Sequence, residues 1–191
     1  YFLHISCTLE TPKFDKANLK HVVGLDRGLR FLTTVYDEQG NTSFVDGKAI
    51  IAKRRKYKRL RQQLQAKGTK SAKRRLKKIG QRENRWMSNI NHQVTKALVN
   101  QYGSGTVFTI EDLTNVRFAT EKVAKTNRYE QVSWAFYQFE QFLTYKAEMT
   151  GSTVVKVDAH YTSQRCPKCG SINKNNRNHT LHEYCCANCG Y

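Results

Sequence analysis

Two short cysteine motifs near the C-terminus restrict the fold of this chain more than any other feature of its sequence. Each is a Cys-x-x-Cys-Gly turn, one at Cys166 and Cys169 and the other at Cys186 and Cys189, and 16 residues separate the two turns. This spacing is typical of a ribbon in which four thiolates hold one structural zinc ion at a closed tetrahedral site. Two disulfides are the alternative, but no signal-peptide pattern opens the chain, and thiols stay reduced inside cells. The sequence therefore predicts a zinc ribbon over residues 161–191.

Other possible ligands lie near these motifs. Cys185 precedes Cys186 directly, and its spacing to Cys189 is one residue too long for the second turn. His179 and His182 lie between the two turns and are weaker candidates. We expect all three side chains to lie outside the metal shell.

Apolar runs along the rest of the chain predict a mixed β-sheet. The first three predicted strands are joined by short turns, and residues 37–41 have the composition of a hairpin loop. The later strands alternate with helices, which favours parallel pairing. In chain order the predicted elements are strands at 22–26, 31–36 and 42–45, helices to about residue 100, a strand at 105–110, a helix over 132–147 and a strand at 153–157.

Three further segments carry weaker signals. Residues 1–9 are apolar enough to predict a strand, in which Cys7 would be buried. Residues 113–128 are polar and lack periodicity, which predicts a mobile loop. Trp134, Tyr137 and Tyr145 form a second stripe on the helix that follows, and we expect this stripe to belong to the core rather than to form a platform for stacked bases.

One segment holds most of the positive charge. The chain has 33 Lys and Arg against 15 Asp and Glu, a net charge of +18. The basic segment, Lys53–Arg85, contributes 16 of these basic residues and one acid, Glu83. Apolar spacing and Gly68-Thr69 predict two antiparallel helices at about 49–100. A uniform sign favours a surface that binds phosphates over a merely solvated hairpin. The candidate nucleic-acid-binding residues are Lys53, Arg54, Arg55, Lys58, Arg59, Arg61, Lys73, Arg74, Arg75, Lys77, Lys78, Arg82 and Arg85.

Two carboxylates follow apolar strands directly. Asp26 ends the first strand and Glu111 follows the strand at 105–110. In neighbouring parallel strands these ends lie side by side, and paired acids there can share the metal ions of a phosphodiesterase site. A helix cap or a surface acid is the alternative interpretation. Asp112 and Asp158 also lie near strand ends, so spacing alone does not choose among the four acids.

Three of these motifs together resemble one known family. Residues 22–28 (Val-Val-Gly-Leu-Asp-Arg-Gly), 110–113 (Ile-Glu-Asp-Leu) and 161–170 (Tyr-Thr-Ser-Gln-Arg-Cys-Pro-Lys-Cys-Gly) are similar to the C-terminal half of TnpB proteins. These are transposon-encoded, OrfB-type RNA-guided nucleases, similar to the type V CRISPR effectors. The helical hairpin and the helix that includes residues 133–147 also resemble that family.

The resemblance implies a fold and a set of site residues. The fold would be α/β, with a ribonuclease H-like (RuvC) nuclease domain over 21–160, the zinc ribbon over 161–191, and the end of a wedge-like domain with its linker over 1–20. Asp26 and Glu111 would be the first and second carboxylates that bind two catalytic Mg²⁺ ions. The third family carboxylate follows the ribbon, so we expect residues 1–191 alone to be inactive.

The function implied is metal-dependent hydrolysis of DNA, with a guide RNA specifying the target. Guide RNA and target DNA are the expected partners, in the cytoplasm of a prokaryote. We expect no membrane and no small-molecule substrate, because no apolar run is long enough to span a bilayer and the charge points to a polyanion. Two alternatives stay open: a nuclease-inactive guided DNA-binding regulator, and a zinc-ribbon nucleic-acid-binding protein without nuclease ancestry.

Overall fold

A computed structural model describes residues 3–6, 8–28, 30–113, 136–178 and 183–191. The chain divides into two compact units, Tyr1–Lys156 and Val157–Tyr191. The larger unit holds the sheet and the long helices, and the smaller unit holds the cysteine motifs. Within the described ranges, no helix combines the length and the apolar character needed to cross a membrane.

The described elements follow the predicted order. In the first part of the chain they are a 3-10 helix (Lys16–Asn18), β1 (His21–Asp26), β2 (Phe31–Asp37), β3 (Thr42–Asp46), α1 (Lys48–Lys67), α2 (Lys70–Tyr102) and β4 (Thr106–Glu111). They continue with α3 (Phe136–Met149), β5 (Thr153–Val157), a 3-10 helix (Lys174–Asn176), β6 (Arg177–Asn178) and β7 (Glu183–Tyr184).

The large sheet is mixed, as predicted, in the order β3-β2-β1-β4-β5. β1 pairs antiparallel with β2 and parallel with β4, so Leu25 lies beside Val35 on one side and Ile110 on the other. The turn between β2 and β3 is held by Asp37, whose Oδ1 accepts hydrogen bonds from the backbone of Gln39 and Asn41. The expected mixed α/β sheet is confirmed.

One face of the sheet packs against α2 and α3. In β4, buried and half-buried residues alternate because successive side chains point to opposite faces. The inward residues of β1 and β4 meet apolar side chains of both helices in one core. Its buried members are Val23, Leu25, Val35, Leu98, Val99, Phe108, Ile110, Phe139, Leu143 and Ala147. The residue after Leu25 and the residue after Ile110 consequently lie on the opposite face.

The helical hairpin turns where its sequence predicted. Gly68 caps α1 with a φ of +63°, a left-handed conformation that favours glycine. Thr69 caps α2, and its hydroxyl accepts a hydrogen bond from the backbone of Ala72 at 3.2 Å. Leu64, Ala72 and Ile79 form a small buried cluster between the two helices. At 33 residues α2 is about 50 Å long, so it also reaches the sheet.

A strand is predicted over residues 1–9, but the described part of this segment does not form one. The described residues of this segment, 3–6 and 8–9, have no strand conformation. Leu3, Ile5 and Leu9 are 84%, 77% and 63% exposed. Apolar composition does not create a strand without a partner for its backbone groups, and no strand of the described sheet pairs with this segment.

The two described residues of the second aromatic stripe, Tyr137 and Tyr145, are not core either. Tyr137 is 72% exposed and Tyr145 is 40% exposed, because the face with Phe139 and Leu143 is the one that meets the sheet. Several predictions lie outside the described residues. They concern Cys7, Trp134, the histidines at 179 and 182, and the loop at 113–128 beyond its first residue.

Candidate functional site

The parallel pairing of β1 and β4 brings two carboxylates to the same edge of the sheet. Leu25 and Ile110 are register partners and both point into the core. Asp26 and Glu111 each come one residue later, so they are neighbours on the opposite face, on strands about 4.8 Å apart. Asp26 is exposed and Glu111 is half-buried. Two hard oxygen ligands at a solvent-accessible strand end could hold divalent cations.

A buried arginine connects the elements that meet at this end of the sheet, and the sequence analysis did not predict it. Arg27 follows Asp26, and its side chain is only 1% exposed. Its guanidinium donates hydrogen bonds to the carbonyl oxygens of Glu111 (2.5 Å) and Phe136 (3.1 Å). Arg27 thus links the end of β1 to the end of β4 and to the start of α3.

The counter-charge of Arg27 comes from Glu140, on the buried side of α3. Arg27 Nη1 lies 3.6 Å from Glu140 Oε2, and Lys156 Nζ lies 2.5 Å from Glu140 Oε1. Burial lowers the pKa of the Arg27 guanidinium, and the charge of Glu140 opposes this shift. The hydrogen bond to Glu140 raises the pKa of Lys156. A glutamate within the apolar face of a helix was the sequence signal for this pair.

Loss of the Glu140 charge should destabilise the first unit. In Glu140→Gln the shape is kept, but Arg27 stays buried without its carboxylate, and breaking such a pair costs about 3–5 kcal/mol. Urea unfolding followed by circular dichroism measures this difference. Glu148→Gln is the matched control, because Glu148 is an exposed acid on the same helix, and we expect a change within about 0.5 kcal/mol. Equal stability of both variants would contradict a structural role for the ion pair.

Asp112 and Asp158 are the other two acids that lie near strand ends. Asp112 is exposed, and as the residue after Glu111 it lies beyond the end of β4. Asp158 belongs to the smaller unit, where its Oδ1 accepts a hydrogen bond from the backbone of His160 at 2.9 Å. Hydrogen bonds from the backbone and side chain of His160 lower the pKa of Asp158.

In the smaller unit, four thiolates converge. The sulfur atoms of Cys166, Cys169, Cys186 and Cys189 all lie within 4.8 Å of one another. The distances Cys166–Cys189 and Cys169–Cys186 are both 3.6 Å, far longer than an S–S bond of about 2.05 Å. They approach the edge of about 3.8 Å in a tetrahedron with metal–sulfur bonds of about 2.3 Å. The geometry fits a metal ion and does not fit disulfides.

The two cysteine turns have the same local structure. Gly170 donates its backbone N–H to the carbonyl oxygen of Cys166, and Gly190 donates to that of Cys186, both at 2.9 Å. Both glycines have positive φ, +73° and +70°, which the tight turns require. Cys185 is exposed, and its sulfur is not in the cluster.

Two polar residues that sequence reasoning missed support this cluster. Asn176 is 1% exposed, and its side chain donates to the carbonyl of Gln164 and accepts from the backbone of Ala187. Hydrogen bonds from Ser171 lower the pKa of Cys169 to about 5, which favours the thiolate that binds metals. A run of asparagines between the two motifs was the only signal for Asn176.

Most of the predicted nucleic-acid-binding side chains are exposed on the helical hairpin. Lys58 and Arg61 are half-buried and Arg54 is buried. The exposed ones are Lys53, Arg55, Arg59, Lys73, Arg74, Arg75, Lys77, Lys78, Arg82 and Arg85.

Glu83 accounts for the buried Arg54 and the half-buried Arg61. Its Oε1 lies 3.6 Å from Arg54 Nε, and its Oε2 pairs with Arg61. The one acid of the basic segment therefore joins the two helices as an internal counter-charge. Arg54, at 5% exposure, is not accessible to a phosphate, and its predicted place in the binding surface is corrected.

Comparison with protein families now identifies the chain. A family model named OrfB_IS605 and described as a probable transposase matches residues 4–119, more than half of the chain. This chain is a TnpB-type member of that family. A second model, the Cas12f1-like TNB domain, matches residues 136–191 of the TnpB-type chain. A zinc-ribbon protein without this ancestry, one of the two alternatives, is thereby excluded.

The relatives of this TnpB-type chain include Cas12f1 and TnpB-like proteins, and a solved Cas12f1 structure shares its fold. The CRISPR-associated endodeoxyribonuclease Cas12f1 of Sulfoacidibacillus thermotolerans is 36% identical over 53% of this chain and 22% of its own length. TnpB-like protein MJ0751 of Methanocaldococcus jannaschii is 29% identical over 80% of this chain and 58% of its own. A cryo-EM structure of a Cas12f1–sgRNA–target DNA complex matches with a TM-score of 0.67 at 15% identity, over 96% of this chain and 48% of that one. The fold is shared, and this chain spans about a fifth to three fifths of these relatives.

Proposed function

We propose that this chain is the nuclease portion of an RNA-guided DNA endonuclease of transposon origin. One observation supports the proposal: the parallel register of β1 and β4 pairs Leu25 with Ile110, the residues directly before Asp26 and Glu111. The chain also belongs to the OrfB family, and its relatives include TnpB-like and Cas12f1 proteins. The proposed partners are a guide RNA and a target DNA, with base pairing selecting the sequence. The test is guide-directed cleavage that Asp26→Asn or Glu111→Gln abolishes.

The carboxylates suit the metal that this chemistry needs. Mg²⁺ prefers carboxylate oxygens and keeps several of its waters, which an exposed Asp26 beside a half-buried Glu111 permits. Bound there, two Mg²⁺ ions would supply an activated water and stabilise the leaving oxygen. Asp26 and Glu111 would be the residues of this chain that hold these ions. Arg27 keeps the backbone of Glu111 in register with Asp26.

The four-cysteine cluster has a different role. Thiolates are ligands for zinc rather than magnesium, and four of them leave no open position for substrate or water. We propose one structural Zn²⁺ held by Cys166, Cys169, Cys186 and Cys189, within a ribbon over residues 161–191. The hydrolysis of DNA would take place in the other unit.

A guided DNA-binding protein without nuclease activity is the second candidate. One observation favours it: in the part of the chain that the structure describes, the four cysteines are the only group of three or more metal-ligating side chains within reach of one ion. Guide-dependent binding without cleavage, in a protein that carries all segments of its relatives, would identify this function.

The exposed cations of the basic segment should set the salt dependence of nucleic-acid binding. Replacing Arg55, Arg74 and Arg75 by glutamine should flatten the plot of log affinity against log salt, by about 0.9 for each duplex phosphate that the variant no longer neutralises. Fluorescence anisotropy with a DNA duplex at several salt concentrations measures the slope.

The matched control removes the same charge elsewhere. Lys13, Lys16 and Lys20 are exposed and lie outside the helical hairpin. Their replacement by glutamine should leave the slope nearly unchanged, because few phosphates would lie near them. If both triple variants changed the slope equally, net charge rather than the hairpin would govern binding.

A further inference from the structure

The helical hairpin carries a cavity that the proposed function does not yet use. It has a volume of about 360 Å³ and is lined from both helices by Tyr57, Leu60, Arg75, Lys78, Ile79 and Arg82. A volume of this size lies within the range of about 300–1,000 Å³ usual for small-ligand sites.

The floor of this cavity is apolar, whereas its rim is positively charged. Ile79 is buried, and Tyr57 and Leu60 are half-buried members of the same apolar cluster, so the floor is apolar and partly aromatic. Arg75, Lys78 and Arg82 are exposed and lie on the rim. They fall at i, i+3 and i+7 on α2, the same side as Ile79 at i+4. The occupant should therefore have a flat apolar part and negative charge beside it.

The ion cluster at Glu83 keeps this cavity positively charged. Glu83 is buried and pairs with Arg54 and Arg61, so its charge is already compensated. No acidic side chain is among the described residues that line the cavity. Its rim is continuous with the basic segment, where 16 of 33 residues are Lys or Arg. This surface suits the repeated phosphates of nucleic acid better than a single small anion.

We propose that the cavity holds one unstacked base of a single nucleic-acid strand. The base lies against Tyr57 and the apolar floor, and Arg75, Lys78 and Arg82 contact the flanking phosphates. The inference rests on the proposed function, since it assumes that the helical hairpin binds nucleic acid. It adds a preference of the hairpin for single strands over duplexes. A duplex keeps its bases stacked inside the helix, whereas a single strand can turn one base out.

Replacing the ring of Tyr57 should separate single-strand binding from duplex binding. The experiment uses the 191-residue chain, an oligodeoxythymidine with one central fluorescent adenine analogue, and the matching duplex. Tyr57→Leu should weaken single-strand binding at least about fivefold, the lower end expected for loss of one stacked base. Duplex affinity and the salt slope should not change, because the three cations stay. The fluorescence quenching seen on binding of the single strand should also be lost.

Two further variants make the result decisive. Tyr57→Phe keeps the ring and should restore both affinity and quenching, which a fault in folding would not allow. Tyr137→Leu removes an exposed tyrosine from α3 and should change nothing. An unchanged single-strand affinity in Tyr57→Leu, or an equal loss for the duplex, overturns the base site but leaves the basic surface intact. If the unaltered chain bound neither probe, the role of the hairpin in the proposed function would fail as well.

Discussion

Cys186→Ser should release the metal ion and unfold the smaller unit, whereas Cys185→Ser should do neither. The unit spans only about 35 residues, and domains below about 40 residues usually need metals or disulfides to fold. Its buried side chains are Cys166, Cys186 and Asn176 among the residues described, so the unit has almost no apolar core. Structural zinc contributes about 10–16 kcal/mol in such small domains, far more than any other interaction here.

Elemental analysis of the purified variants gives the zinc content, and amide NMR spectra report folding of the smaller unit. Cys185→Ser is a close control, because it makes the same substitution one residue earlier on a sulfur outside the cluster. Zinc lost from Cys185→Ser and kept in Cys186→Ser would mean that the wrong thiolate is assigned. A unit that stays folded after its metal is removed by a chelator would contradict the structural role.

Local sequence signals predicted most of the sheet. β5 forms over the predicted range, Thr153–Val157, because a β-branched run between turn residues has one favourable conformation. The turn at Gly68-Thr69 was also predictable from local sequence, because a left-handed glycine and a capping threonine act within their own helix ends. The strand predicted over residues 1–9 is absent from the described residues of that segment, because strand formation depends on a partner strand, which composition does not reveal.

In the candidate site, too, local signals were predictive and contacts between distant residues were not predicted. The four cysteines lie in two short motifs, so their convergence could be expected from spacing. The ion pairs could not: Arg27 meets Glu140 and Arg54 meets Glu83 across long stretches of chain. Each acid had a visible signal, Glu140 among apolar residues of α3 and Glu83 as the lone acid of the basic segment. The signal indicated a buried charge but did not name its partner.

Within a longer protein that supplies the segments of its relatives and a guide RNA, Asp26→Asn should abolish DNA cleavage. The amide keeps the shape of Asp26 but loses the negative charge that would hold two Mg²⁺ ions, and metal stabilisation of the transition state is worth several kcal/mol. A loss of about 4 kcal/mol is a decrease of about 10³-fold in rate. Cleavage of a duplex that matches the guide, followed at fixed Mg²⁺, measures the rate. Guide-dependent binding should persist, because the substitution leaves the basic segment unchanged.

Asp112→Asn is the matched control, since this exposed acid follows Glu111 directly and lies beyond the end of β4. Its rate should stay within a few-fold of the parent. The 191-residue chain without additional segments should bind nucleic acid and not cut it, because two carboxylates would neutralise only half of the charge of the two Mg²⁺ ions that this chemistry uses. Mg²⁺-dependent cutting by the 191 residues that disappears in Asp26→Asn would show that two carboxylates are enough. Equal loss of cleavage in Asp26→Asn and Asp112→Asn would instead indicate that cleavage depends on the total negative charge at this end of the sheet and not on metal ions held by Asp26.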